Sequence, residues 1–128
     1  MKMGAAKPIL CLLFSFMIIN NAYSQGEQMV RLAKLVIDST KLETYNAYLK
    51  EEIEASIKKE PGVLTLYAVA EKSRPTHITI LEIYANQEAY KHHIQTSHFL
   101  KYKNGTKDMV KSLALIEGIP LIPDMRIK

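Results

Sequence analysis

The residues of this chain best suited to chemistry are a histidine on an apolar helix face and an acid inside an apolar strand. His93 shares a helical face with Ala89, Tyr90 and Ile94, so its ring is expected to point inward. His92 lies about 100° further round the helix, beside Glu88 on the polar side. Glu82 interrupts a strand made of Ile78, Ile80, Leu81 and Ile83, where an unpaired carboxylate is costly to bury. It needs a partner, and His93 is the natural one if Glu82 faces the helices together with Tyr84. A neutral imidazole, reference pKa about 6.5, can act as a general base in a preorganised site at neutral pH. A carboxylate beside it would orient the ring and stabilise its charged form. The same pair can equally be a structural tie between a helix and a strand. Tyr84, Tyr67, Tyr90, His98 and Phe99 are candidates for lining a ligand pocket, the tyrosines with hydroxyls to offer. No metal site is expected, because His92, His93, His98 and Glu82 form neither an i,i+4 histidine pair nor an H-E-x-x-H motif.

The elements that would hold these residues follow a βαββαβ order. Val30 to Ile37 reads as a strand and ends at Asp38-Ser39-Thr40, whose short polar side chains can cap a helix. Between Lys41 and Lys59 the apolar stripe Leu42, Tyr45, Leu49, Ile53 and Ile57 predicts an amphipathic helix, stopped by Pro61-Gly62. Val63 to Ala70 and His77 to Tyr84 read as a hairpin. Asn86 caps a second helix, a less regular helical stretch runs from Ser97 to about Val110, and Ser112 to Glu117 can close the sheet. The usual strand order for this pattern is 4-1-3-2, with both helices on one face. Yet residues of both parities are apolar in the strands, so the second face is expected to pack against another copy. The run from Ile119 to Met125, with Pro120 and Pro123, reads as an extended arm on a neighbouring surface.

Before this domain lies a segment of different character. Lys2 and Lys7 precede an apolar run from Ile9 to Ile19, which Asn20 and Asn21 break ahead of Ala22-Tyr23-Ser24. This is the order of a secretory signal peptide, residues 1–24, with cleavage expected before Gln25. The run would span only about 16 Å as a helix, against a hydrocarbon core of about 30 Å. Cys11 falls inside it, so the domain over residues 25–128 has no cysteine and must stand on packing. The domain is expected to be exported, periplasmic or secreted, with no membrane attachment after cleavage. Its formal charge is +2 once Lys2 and Lys7 are removed, which gives no reason to expect nucleic acid. Lys101, Lys103, Lys107 and Lys111 read as a solvated face.

Four fragments in order, Glu60-Pro61-Gly62-Val63-Leu64, Leu81-Glu82-Ile83-Tyr84, Ala89 with His93, and Ser97-His98-Phe99, resemble the antibiotic biosynthesis monooxygenase family. The resemblance spans nearly the whole mature domain. It implies a ferredoxin-like α+β fold with an antiparallel sheet, assembled as a dimeric α+β barrel. It also implies oxygenation of a quinol or polyphenol-like aromatic with O2 and no cofactor. His93 matches the family's helix histidine, and His98-Phe99 match its end-of-helix pair. Tyr84 stands where members often carry tryptophan, and this chain has no tryptophan, which weakens transfer of any specific substrate. Two alternatives remain open: a noncatalytic dimeric module for small ligands, and a haem-binding or haem-degrading relative with His93 as axial ligand.

Overall fold

The computed structural model describes residues 4–5 and 27–123. The leader read from residues 1–24 and the end of the C-terminal arm therefore lie outside the described residues, apart from Gly4 and Ala5. Four strands and three helices follow in the order β1 (Met29–Ile37), α1 (Leu42–Lys59), β2 (Val63–Ala70), β3 (His77–Tyr84), α2 (Gln87–His93), α3 (Ser97–Thr106) and β4 (Val110–Gly118). A 3₁₀ turn at Ser39–Lys41 leads into α1, and Asp38 caps it by accepting from both the amide and the hydroxyl of Thr40. The helical stretch expected from Ser97 to about Val110 is a separate helix, α3, opened by the Thr96 hydroxyl accepting from the Phe99 amide; it ends at Thr106, and Val110 already opens β4, two residues before the expected start at Ser112.

All strand pairs are antiparallel, in the order β2-β3-β1-β4, which is the ferredoxin-like α+β arrangement. Cross-strand register assigns each side chain to a face. One row facing the helices is Ala68, Ile80, Ala33 and Leu115, and the next is Leu66, Glu82, Arg31 and Glu117. Ala33, Leu35, Ile37, Ile78 and Ile80 form the main core with Tyr45 and Leu49 of α1. On the other face Tyr67, Leu81, Leu32 and Ile116 form an apolar row across all four strands.

The buried stripe of α1 differs from the apolar pattern. Tyr45, Leu49, Glu52 and Ser56 are buried, whereas Ile57 is half exposed. From Tyr45 to Ser56 is close to three full turns, whereas Ile57 falls about 120° off that line. Two polar residues are thereby carried inside.

Gly62 brings β2 against α2. A Cβ placed there would lie 2.6 Å from Cβ of Ala89, and the Gly62 carbonyl already accepts from the Ala85 amide. Gly62→Ala is therefore expected to cost about 1–3 kcal/mol through overpacking, visible as a lower urea midpoint with an unchanged slope.

Candidate active site

Between the helices and the sheet lies a cavity of about 390 Å³, within the usual range for a small-molecule site. Ala33, Leu35, Leu66 and Ile80 form its apolar floor, while Phe99 and Tyr102 close it from α3. Glu52, Glu82, Tyr84, Tyr90 and His93 also line it.

Glu82 reaches this cavity from the third strand, in register with Arg31 on β1, which in turn pairs with Glu117 on β4. The Arg31 guanidinium donates to Glu117 Oε1, with Nε at 3.0 Å, and lies 4.5 Å over the Tyr90 ring. Burial pushes the Glu82 carboxyl up to about 7, with the Arg31 charge pulling against it. A carboxyl titrating there at a ligand cavity suits proton transfer at neutral pH.

His93 is 2 % exposed and takes partners other than Glu82. Its Nδ1 lies 2.9 Å from Oε2 of Glu60, and His98 Nε2 lies 2.7 Å from the same oxygen. An ionised carboxylate only accepts, so both ring nitrogens donate. On the opposite edge of the ring, His93 Nε2 lies 3.4 Å from Oε1 of Glu52, which also accepts from Ser56 Oγ at 2.7 Å. Burial raises the Glu52 carboxyl against that hydrogen bond. Burial also opposes charge on Glu60, but hydrogen bonds from His98 and His93 outweigh it and hold Glu60 below its ordinary value. His93 is thus gripped between Glu52 on α1 and Glu60 at that helix's C-cap, and these two acids replace the expected Glu82–His93 pair. The reason is positional: Glu60 terminates α1 directly beneath the α2–α3 junction, and its backbone amide is tied to the Ser56 carbonyl.

Of the other residues singled out from sequence, Tyr84, Tyr90 and Phe99 line the cavity. Tyr84 is fully buried, its phenol driven well above its ordinary value by burial, and its ring packs edge-on against Tyr90. His98 binds Glu60 behind the cavity wall. Tyr67 does not join the site: its register partner is Leu81, and it stands 67 % exposed on the helix-free face. A one-residue change of parity separates it from Leu66, which does line the cavity. Nothing in the sequence marks Glu52 or Arg31 as site residues, and Glu60 stands out there only as the start of the Glu60-Pro61-Gly62-Val63-Leu64 fragment. Glu52 sat among Glu51 and Glu54 on a charged helix and gave no signal of its burial.

Glu60, His93 and His98 also present one ligand atom each within 4.8 Å of one another, a donor set that could accept a divalent cation. This differs from the expectation drawn from the spacing of His92, His93, His98 and Glu82, because the fold brings in Glu60 from a distant part of the chain.

The family model for antibiotic biosynthesis monooxygenase matches residues 29–105, a span containing every acid and histidine of this cluster. The chain belongs to this family. A candidate antibiotic biosynthesis monooxygenase from Bacteroides thetaiotaomicron is 64% identical, with a TM-score of 0.79, covering 80% of this chain and 97% of that one. A candidate monooxygenase from Lactobacillus acidophilus is 31% identical with a TM-score of 0.69; the match covers 71% of this chain and 43% of that longer one. A candidate family member from Nitrosomonas europaea shares the fold at 22% identity and a TM-score of 0.70, over 77% of this chain and 95% of that one. No curated protein sequence matches the chain. Family membership supports a monooxygenase-like function for the cavity.

Proposed function

We propose that this chain is an exported, cofactor-independent monooxygenase that oxidises a quinol or polyphenol-like aromatic with O2. The observation that carries this reading is the pairing of an apolar, aromatic-walled cavity with a carboxyl, Glu82, that titrates near neutrality on its wall. In this reading a substrate hydroxyl gives its proton to Glu82 or His93, and the electron-rich anion reacts with dioxygen. One oxygen atom enters the ring and the other leaves as water, so a quinol and O2 give a hydroxyquinone and H2O. Tyr84 and Tyr90 would present hydroxyls to the substrate, and Phe99 would pack on its ring. Oxygen uptake by metal-stripped protein with a panel of hydroquinones tests the reaction. Protein-dependent uptake, with one labelled atom from ¹⁸O2 in the product, is expected. Saturable binding with no uptake would replace the enzyme by a ligand-binding module.

The active form in this proposal is a homodimer. The apolar row Tyr67, Leu81, Leu32 and Ile116 faces away from every helix, and Ile119, Leu121 and Ile122 beyond β4 are exposed as well. A second copy packed on that face would cover both. Sedimentation of residues 25–128 at micromolar concentration should give twice the monomer mass; a stable monomer would remove the argument.

A further inference from the structure

We propose that the ligand of this cavity carries an acidic group, a carboxylate, sulfate or phosphate, which docks against Lys103, Lys107 and Lys111 while its aromatic hydroxyl faces Glu82 and His93. The inference rests on the cavity being the substrate site. All three lysines line the cavity, one from the end of α3, one from the turn after it and one from the start of β4. None of the three forms an ion pair with an acidic side chain among the described residues, whereas Lys50, Lys91 and Lys101 are matched by Glu54, Glu88 and Glu51. Asp38 lies near enough for its carboxyl to be lowered by the Lys111 charge, but its Oδ1 is committed to Thr40.

Arg31, the remaining cation of the cavity, is not available for a ligand anion. Glu117 accepts from it, Tyr90 stacks beneath it, and Glu82 faces it across the strand. The cavity is therefore polarised. Glu82 and Glu52 occupy one part of its wall, and uncompensated positive charge occupies another. An acidic substituent placed among the carboxyls would be repelled, and placed among the lysines it would be attracted. The charge pattern thus selects one orientation as well as one class of ligand.

Register sets the scale. Glu82 aligns with Arg31 and Val110 with Ile37, six residues apart along β1, so the two ends are about 20 Å apart at the backbone. Side chains reaching inward from both ends shorten that gap to the length of two or three fused rings bearing a hydroxyl at one end and the acid at the other.

Anaerobic calorimetry with two stable phenols, 2-naphthol and 6-hydroxy-2-naphthoate, tests the inference on the full mature protein. The naphthoate is expected to bind at least tenfold more tightly at low salt, with the advantage shrinking as salt is raised. Replacing all three lysines by glutamine at these exposed positions should abolish that advantage, with 2-naphthol affinity of the same variant as the reference for the ratio. Equal affinities in wild type, or an advantage that survives in the triple variant, would overturn the acidic-ligand inference while leaving the cavity as the ligand site. Failure of both phenols to bind folded protein would overturn both. Lysine-dependent naphthoate binding without oxygen uptake by any hydroquinone would uphold this inference and reject the enzyme.

Discussion

Glu82→Gln should lower turnover of a quinol substrate by about 10² to 10⁴, the usual span for loss of a general base, without unfolding the protein. The wild-type rate should rise with pH through an apparent pKa near 7, the value to which burial lifts this carboxyl, because only the ionised form accepts a proton. The same shift has a stability consequence of definite sign. In the unfolded chain the group titrates near 4.5 and in the fold near 7, so the fold holds its proton more tightly. That contribution is complete below about pH 4.5 and is lost as the pH rises through 7. Glutamine cannot ionise, so Glu82→Gln should gain roughly 2–4 kcal/mol on wild type between acid and mildly alkaline pH. Urea unfolding at pH 4.5 and pH 8 measures the difference. If His93 is the base instead, His93→Ala gives the large rate loss and Glu82→Gln a small one. His92→Ala should be silent in either case, since His92 is exposed and outside the cavity. Equal turnover in wild type, Glu82→Gln and His93→Ala would reject both residues as catalytic.

The largest stability effect is expected at Glu60, at about 3–5 kcal/mol for Glu60→Ala, the usual cost of breaking a buried charged pair from one side. Oε2 of Glu60 accepts from both His93 and His98, so its removal leaves two inward-facing imidazole donors without an acceptor. It also unties α1 from the α2–α3 junction. Lys50→Ala is the control: its ion pair with Glu54 is exposed at both ends and should contribute well under 1 kcal/mol. Thermal unfolding of the two variants gives the comparison. Similar melting temperatures would mean that the Glu60 cluster is not what holds the helices together. Glu60 should also make wild type acid-sensitive, since its carboxyl titrates below the ordinary range in the fold. Its contribution is present above the ordinary carboxyl range and is lost as the pH falls through the folded value.

Most of the architecture was legible from periodicity. Runs of apolar and β-branched residues bounded by turn residues placed β2 and β3 at their observed ends, Pro61-Gly62 stopped α1, and Asn86 marked the start of α2, because strand runs, helix stops and caps act over a few neighbouring residues. The inward direction of His93 was legible for the same reason. Its partners were not. Glu60 reaches it across 33 residues of sequence, and nothing local distinguishes Glu52 from the exposed Glu51 and Glu54. Lys101, Lys103, Lys107 and Lys111 read as a solvated face and are exposed, but only the position of the α3–β4 segment over the sheet makes the last three part of a cavity rim as well. Tyr67 shows the complementary error, an aromatic whose strand was recognised but whose face depended on the register with Leu81. Local sequence therefore determined which elements form and which way their apolar stripes turn, since those follow from backbone geometry within a few residues. Tertiary structure alone decided which charged groups are desolvated and paired, because burial and electrostatic partnership depend on residues far apart in the chain meeting in space.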